Sequence, residues 1–249
     1  MKIAIAIPAY HEQDNILKVM AELDKKVKTP NERHIVYDSE DDPTCDVVRK
    51  FIKDKKRTDI KLVRNNVGTG RGALNAVKTG LWSAPADCDA TIVVMADLSD
   101  DANMIDVMVK EYEQGAKVVC ASRYMKGGHE IGGPFIKRTL SRIAGLSLYY
   151  LRRMPVHDPT NNFRLYDSKL LKSINIESTA GFEIAMEITV KAHKSGNKVT
   201  EVPVTWRDRT AGESNFKLWQ WLPSYLKWYF LALRPGKITL SPPREQPSK

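Results

Sequence analysis

The segment TIVVMADLSDD, residues 91–101, is the clearest indication of the fold class. It begins with a β-branched apolar run over residues 91–95, which predicts a buried strand. The segment that follows carries carboxylates at Asp97, Asp100 and Asp101. Because α/β sheets bind ligands outside the carboxyl ends of their strands, these carboxylates are candidate site residues.

Strand-like apolar runs and helical periodicity alternate on both sides of this stretch. The predicted strands cover residues 3–7, 34–37, 60–63, 117–121 and 198–206. The predicted helices cover residues 15–27, 47–52, 70–82, 104–112, 135–151, 182–192 and 216–233. Alternation at this pitch predicts an α/β fold with a mostly parallel, Rossmann-like sheet flanked by helices.

Polar segments follow three of the predicted strands, at residues 8–12, 38–42 and 97–101. Any one of them is typical of a solvated loop. Because parallel strands end at the same edge of a sheet, three such segments together favour a binding site.

The composition restricts the class of protein. With 249 residues, 42% of them apolar and 28% charged, the chain can bury a full core, so disordered and fibrous classes are excluded. The net charge of +9 favours anionic partners, and most of the excess lies between residues 123 and 164. No standard nucleic-acid-binding motif is present, so we expect no nucleic acid partner.

The sequence also gives expectations about the compartment. Three scattered cysteines, Cys45, Cys88 and Cys120, are typical of a reducing compartment, where they serve as small core residues. The apolar run at residues 3–7 is too short for a secretion signal. No window reaches the roughly 18 apolar residues of a transmembrane helix. We therefore expect a cytoplasmic protein.

Two local patterns suggest binding chemistry. Asp97 can hold a divalent cation, since hard cations are bound by several oxygens, whereas Ser99 or Asp100 can cap the following helix. The glycine-rich segment GTGRG, residues 68–72, lacks the Lys-Ser/Thr ending of a nucleotide-hydrolase phosphate loop. We interpret that segment as a turn before a helix.

Six segments together indicate a family. They are PAYHE at 8–12, VYD at 36–38, MADLS at 95–99, ASRY at 121–124, DPTNNFRLY at 158–166 and RTAGES at 209–214. In this order they resemble the inverting family-two glycosyltransferases of GT-A fold, most closely the dolichyl- or polyprenyl-phosphate mannose synthase branch. The resemblance runs from residue 2 to about residue 233.

The resemblance implies donor-site residues and a reaction. Pro8, Tyr10, Glu12, Val36 and Asp38 would line the nucleoside, Ala96 and Asp97 the sugar diphosphate, and Arg123 and Arg209 the donor phosphates. Asp97 and Ser99 would hold Mg²⁺ or Mn²⁺, with Asp97 and Arg123 as the catalytic residues. The expected reaction moves a hexose, with mannose from GDP-mannose as first candidate, onto a polyprenyl or dolichyl monophosphate with inversion.

The resemblance also implies an acceptor site. Lys137, Arg138 and Ser141 would hold the acceptor's phosphate, with Arg164 beside them. A phosphate monoester is already anionic at neutral pH, so its attack on the anomeric carbon needs little general-base help. The basic helix at 135–151 suits the placing of two anions together.

Three departures from the family pattern leave alternatives open. Met95 and Tyr37 stand where the family usually has the first carboxylate of an acidic pair, and Asn215 stands where it has a lysine, although Lys217 lies two residues on. Asp100, Ser99 or water can replace the missing metal ligand. A soluble transferase with a sugar, metabolite or protein acceptor, and a non-catalytic nucleotide-sugar-binding scaffold, are the alternative functions.

The C-terminal part predicts an amphipathic aromatic helix. Tryptophans, tyrosines and lysines in residues 216–233 are typical of a helix at the cytoplasmic face of a membrane. The alternative is a helix packed on the catalytic domain or on a partner subunit, such as a membrane-anchoring one. The expected organisation is a GT-A domain over 1–215, an interfacial helix region over 216–240 and a disordered tail over 241–249. A peripheral association with the membrane surface follows from the first interpretation.

Overall fold

The computed structural model describes residues 1–208 and 218–243. Its strands are β1 Ile3–Pro8, β2 Asn31–Tyr37, β3 Ile60–Arg64, β4 Ala90–Val93, β5 Val118–Ser122, β6 His129–Ile131, β7 Arg164–Asp167, β8 Val199–Pro203 and β9 Thr205–Arg207. A seven-stranded sheet has the order β3-β2-β1-β4-β7-β5-β8, and β6 and β9 form a separate two-stranded sheet. The predicted α/β architecture with a mostly parallel sheet is confirmed.

Helices connect the strands and cover the sheet. They are α1 Ile16–Lys26, α2 Pro43–Lys55, α3 Ala73–Trp82, α4 Ile105–Glu113, α5 Phe135–Arg152, α6 Ser168–Ser173, α7 Ile184–Lys194 and α8 Leu218–Leu233. A short 3₁₀ helix, Ala102–Met104, precedes α4.

The sequence of β1 explains why the sheet is buried on both faces. Ile3, Ile5 and Ile7 are fully buried in a core cluster that includes residues of α1 and α4. The intervening alanines leave room for α3 on the other face, where a methyl group on Gly80 would lie 2.7 Å from the Cβ of Ala6. Because the strand buries both faces, it reads as a continuous apolar run.

The predicted strand over residues 198–206 is wrong in one respect, because the chain divides it between two sheets. β8 pairs with β5 in the large sheet, whereas β9 pairs with β6. Pro203 ends β8, since proline has no N–H to continue a ladder. The Val204 N–H donates to the Ser122 carbonyl (3.0 Å), and the Val204 carbonyl accepts from the His129 N–H (2.8 Å).

One edge of the sheet collects the candidate residues. β1 pairs in parallel with β2 and β4, so the three strands end at the same edge. β7 runs antiparallel to both β4 and β5, so β5 ends there too and β7 begins there. The segments at 8–12, 38–42, 97–101 and 121–124 therefore share one edge with the 158–163 loop, as the sequence predicted for the first three.

The aromatic helix packs on the body of the protein. α8 lies against α5 and α7, and Trp221 and Trp228 are buried. The Trp221 ring meets Phe182 edge to face at 5.7 Å, and the Tyr229 hydroxyl lies 2.9 Å from the Ser147 Oγ. Packing on the domain, one of the two interpretations of these tryptophans, accounts for their position.

Other expectations about the chain have mixed outcomes. The three cysteines are free and buried, as predicted. Over the described part of the chain, no helix is both long and apolar enough to cross a membrane. The proposed domain end at residue 215 and the tail from 244 to 249 lie outside the described residues.

A close approach between α5 and the 158–163 loop gives a stability prediction. A methyl group on Gly145 would lie 1.9 Å from the His157 carbonyl oxygen and 2.9 Å from the Pro159 Cδ. We expect Gly145→Ala to lower the free energy of unfolding by about 1–3 kcal/mol, although alanine is the better helix former, because overpacking forces the helix away. Urea denaturation measures the change.

Arg142→Ala, at an exposed position of the same helix, is the matched control and is expected to change stability by less than about 0.5 kcal/mol. A Gly145→Ala variant as stable as the unmodified chain would show that α5 does not lie this close to the loop.

Candidate active site

The loop after β1 is held against the start of α2. The His11 N–H donates to the Asp42 Oδ2 (3.0 Å), and the Glu12 N–H donates to the Thr44 Oγ1 (2.9 Å). Tyr10 is left 58% exposed at the sheet edge. An exposed aromatic ring on an anchored loop is suited to stacking on a flat ligand such as a nucleobase.

Asp38 fixes the glycine-rich segment in front of α3. Its Oδ1 accepts from the Asn65 amide and its Oδ2 accepts from the Gly72 N–H, both at 2.8 Å. Gly68, Gly70 and Gly72 all have positive φ, and Gly72 caps α3. The interpretation of this segment as a turn before a helix is confirmed, and Asp38 ties the turn to the edge of the sheet.

A turn brings two carboxylates together after β4. Leu98 has φ +63°, and the chain folds back so that the Asp100 Oδ2 accepts from the Met95 N–H at 2.8 Å. The Asp97 Oδ1 accepts from the Ser99 N–H at 3.1 Å. The pKa of Asp100 is raised to about 8, because burial and the charge of Asp97 outweigh the Met95 N–H and Arg123, which both lower it. Asp97, Asp100 and Arg123 are therefore close enough to interact.

These residues fit a divalent cation. Carboxylate oxygens are the ligands that Mg²⁺ and Mn²⁺ prefer, and Mg²⁺ is commonly held by one or two carboxylates together with substrate phosphates. Of the three replacements considered for the missing carboxylate, which were Asp100, Ser99 and water, Asp100 is the one that provides a second acidic oxygen donor near Asp97. Ser99 is buried, and its N–H orients Asp97. Within residues 1–208 and 218–243, no group of three or more His, Cys, Asp or Glu side chains is arranged to hold a metal.

Arg123 lies at the same edge of the sheet, directly after β5, but it is already paired. Its Nε donates to the Asp158 Oδ2 at 2.6 Å and its Nη2 to the Asp158 Oδ1 at 3.0 Å, while Nη1 lies 3.6 Å from Glu130. The guanidinium also lies 4.8 Å from the Tyr124 ring and 5.9 Å from the Trp206 ring. This geometry does not support the expected direct contact of Arg123 with the donor phosphates.

The structure also corrects the expected position of Arg164 beside the acceptor's phosphate. The side chain is fully buried, and it donates to the carbonyls of Asn161 (2.6 Å), Ala185 (2.9 Å) and Asp158 (2.8 Å). Every nitrogen of the guanidinium is thus used within the protein. Arg164 joins the 158–163 loop to α7 and does not face an acceptor phosphate.

The first turns of α5 adjoin Arg123. The Tyr124 hydroxyl donates to the Glu130 Oε2 at 2.9 Å and is hydrogen-bonded to the Ser141 Oγ. Lys137 and Arg138 are half-buried on the same part of the helix. Of the three residues expected at the acceptor phosphate, Ser141 contacts Tyr124 beside Arg123, and Lys137 and Arg138 lie about one turn before Ser141 in the same helix.

The predicted donor-site residues differ in whether their side chains are exposed at the edge of the sheet. Tyr10, Glu12, Asp38 and Asp97 are at least partly exposed at the edge, whereas Pro8, Val36 and Ala96 are buried beneath it. The last three cannot reach a ligand through their side chains. Arg209, Asn215 and Lys217 lie outside the described residues.

Sequence reasoning missed the partners of Arg123. Glu130 and Asp158 are the acidic residues of the basic segment 123–164, and the side chains of both lie beside this one guanidinium. The sequence signal that could have identified these partners was the presence of two isolated acidic residues in a basic segment. They indicate an internal ion pair as readily as a solvated surface.

Curated proteins are similar to this chain over most of its length. The chain is 28% identical over 221 residues to the dolichol-phosphate mannosyltransferase of Pyrococcus furiosus, covering 87% of this chain and 60% of the relative. It is 23% identical over 232 residues to the polyprenol monophosphomannose synthase of Mycolicibacterium smegmatis, covering 87% of this chain and 85% of the relative. The chain thus spans less than two thirds of the Pyrococcus protein.

Solved structures share the fold. Glucosyl-3-phosphoglycerate synthase from Mycobacterium tuberculosis, in complex with Mn²⁺, UDP and glucosyl-3-phosphoglycerate, superposes with a TM-score of 0.64 at 16% identity, covering 93% of this chain and 78% of that chain. The same enzyme with Mg²⁺ and UDP gives a TM-score of 0.60 at 15% identity, with 93% and 78% coverage.

The profile of glycosyl transferase family 2 matches residues 4–174, which extend from β1 through β7 and include the segments at the edge of the sheet. The chain therefore belongs to glycosyl transferase family 2.

Proposed function

We propose that this chain transfers a hexose from a nucleotide sugar to a polyprenyl or dolichyl monophosphate, with GDP-mannose as the first candidate donor and with inversion at the anomeric carbon. One observation carries the proposal. Asp97 and Arg123 both lie within electrostatic range of Asp100, and α5 reaches Arg123 through the hydrogen bond between Ser141 and Tyr124. This arrangement supports a site for a metal-bound diphosphate beside a site for a second phosphate. The names of the Pyrococcus and Mycolicibacterium relatives support this choice of reaction.

The chemistry requires little acid–base catalysis. A phosphate oxygen of the acceptor attacks the anomeric carbon and forms a new C–O bond, while the bond from that carbon to the donor diphosphate breaks and the diphosphate takes the electron pair. Attack from the face opposite the leaving group gives inversion. Since the nucleophile is already anionic, the protein's main tasks are placing two anions in line and stabilising the departing charge.

Side chains of the described residues divide these tasks. Tyr10 and Asp38 line the nucleoside end of the cleft, and Lys137 and Arg138 hold the acceptor phosphate near the start of α5. Asp97 and Asp100 would hold Mg²⁺ or Mn²⁺, which when bound neutralises the leaving diphosphate. Arg123 acts by positioning, because its pairing with Asp158 orders the loop between the two phosphate sites.

A lipid-borne acceptor has consequences for location. We propose that the chain works at the cytoplasmic face of a membrane and associates with it peripherally, alone or with an anchoring subunit. The nucleotide-sugar donor would then enter from the aqueous side while the acceptor enters from the lipid side.

The direct test is transfer of label into lipid. The full chain is incubated in detergent with labelled GDP-mannose, polyprenyl phosphate and Mg²⁺ or Mn²⁺, and the lipid phase is extracted. We expect labelled lipid that is absent when EDTA removes the metal, and NMR of the product should show an inverted anomeric centre.

Other outcomes would point elsewhere. Label in a water-soluble product, with phosphoglyceric acid or a sugar as acceptor, would favour the soluble transferase. Tight donor binding by calorimetry with no turnover, for every common nucleotide sugar, would favour a non-catalytic scaffold.

A further inference from the structure

The outer face of α5 leaves large apolar side chains in solvent. Ile136 is 57% exposed, Ile143 61% and Tyr150 73%. Only Gly145 and Leu148 of this 18-residue helix are buried. The other large apolar residues of α5 that are exposed are Phe135, Leu140 and Leu151. An exposed apolar patch of this size marks an interaction surface.

These side chains form one stripe. Ile136, Ile143 and Tyr150 are seven residues apart, which places them in line along the helix, and Leu140 lies in the adjacent row. The inner side of the helix holds Gly145 against the His157 carbonyl and Leu148 in the core. The stripe therefore points away from the domain.

The charges beside the stripe have one sign. α5 contains no Asp or Glu, and Arg138 and Arg142 lie one turn apart on one flank of the helix, while Arg152 is at its C-terminal end. Arg142, Arg152 and the following Arg153 are exposed. An apolar stripe flanked by arginines, with a tyrosine at its end, is the pattern of a helix that lies in the interface of an anionic bilayer.

We propose that the outer face of α5, defined by Ile136, Leu140, Ile143, Tyr150 and Leu151, is the surface that docks on an anionic membrane. The inference rests on the proposed function, because a lipid-borne acceptor requires such contact. It differs from the sequence expectation, which placed membrane contact on α8. The buried Trp221 and Trp228 of α8 face the domain, whereas the isoleucines of α5 face solvent.

This surface also explains how the acceptor reaches the site. Lys137 and Arg138, the residues proposed for the acceptor phosphate, are in the first turn of the same helix. A helix lying in the headgroup layer would hold these cations at the depth of a lipid phosphate. The prenyl chain could then remain in the bilayer during transfer.

Vesicle co-sedimentation tests the surface with the full chain and no donor. We expect binding to vesicles of phosphatidylcholine with phosphatidylglycerol, and weaker binding in high salt or without phosphatidylglycerol. Ile143→Glu should weaken partitioning about tenfold or more, since it removes the burial of one isoleucine. Arg142→Gln should weaken it about fivefold on anionic vesicles only.

Leu17→Glu, at an exposed leucine of α1, is the matched control and should bind as the unmodified chain does. Because Ile143 is solvent-exposed, the circular dichroism and melting temperature of Ile143→Glu should be unchanged. Absence of vesicle binding by the unmodified chain, or full binding by Ile143→Glu, would overturn the proposal. A dimer that Ile143→Glu converts to a monomer, without lipid binding, would assign the face to a second copy instead.

The detergent assay separates the two proposals. If the chain forms labelled lipid in detergent but does not bind vesicles, only the proposed docking surface is overturned. Vesicle binding that depends on Ile143, without transfer from any nucleotide sugar, would overturn the proposed function alone.

Discussion

Replacing Asp158 with alanine is expected to lower the free energy of unfolding by about 3–5 kcal/mol, because the change leaves the Arg123 guanidinium buried without its carboxylate. Asp158 is fully buried and Arg123 is 8% exposed. Burial opposes the ionisation of Asp158, but Arg123 outweighs it and holds the pKa of Asp158 below its usual value. Both groups are therefore charged in the folded protein, and each depends on the other.

The carboxylate also organises its own loop. The Asp158 Oδ1 accepts from the N–H groups of Thr160 (3.3 Å) and Asn161 (3.2 Å), in addition to the Arg123 Nη2. Asp158→Ala removes these acceptors together with the charge. The loss should consequently exceed that of an ordinary ion pair.

Urea denaturation measures the effect, with Glu22→Ala as the matched control. Glu22 pairs with Lys26 on the exposed face of α1, and such pairs contribute about 0–1 kcal/mol. The double variant Arg123→Met/Asp158→Leu should be more stable than Asp158→Ala and less stable than the unmodified chain, since no charge is left unpaired. If Asp158→Ala costs no more than Glu22→Ala, the buried ion pair does not organise the 158–163 loop.

The strands that build the sheet edge were predictable, whereas the pairings within the edge were not. Isoleucine and valine runs such as IAIAI in β1 have few alternatives to a buried strand. β6, β7 and β9 have only three or four residues, and local patterns of that length are too short to identify a strand. Their pairing depends on partners distant in sequence.

The role of an arginine depends on contacts that its sequence neighbours do not specify. Arg123 and Arg164 match family motifs, yet their nitrogens contact the protein itself. Asp100 shows the opposite case. Its position beside Asp97 depends on the left-handed turn at Leu98, and leucine rarely adopts this conformation, so the sequence carries no signal for it.

The amphipathic patterns of the helices also did not show which face of each helix is buried. The aromatic residues of α8 and the isoleucines of α5 both recur at helical spacing, which is typical of core packing and of membrane contact. Only the packing of α5 against α8, with Leu148 and Trp228 inside, shows which face each helix buries.

Asp97→Asn is expected to reduce transfer into lipid about a hundredfold or more in kcat/KM, because it removes a carboxylate that would hold the metal on the leaving diphosphate. The fold should be unaffected. Asparagine retains the oxygen that accepts from the Ser99 N–H, so the turn after β4 keeps its hydrogen bond. Rates are measured by extraction of labelled lipid over a range of Mg²⁺ and Mn²⁺ concentrations.

Neighbouring variants make the result specific to the metal site. Asp101→Asn keeps the acceptor for the Asn103 N–H and lies in the same segment, so it should leave activity close to that of the unmodified chain. Asp100→Asn should raise the metal concentration needed for half-maximal rate, since it removes the second carboxylate. If Asp97→Asn transfers label at the same rate and with the same metal dependence, the pair after β4 does not hold the metal, and stabilisation of the diphosphate must come from the cations on the other side of the cleft.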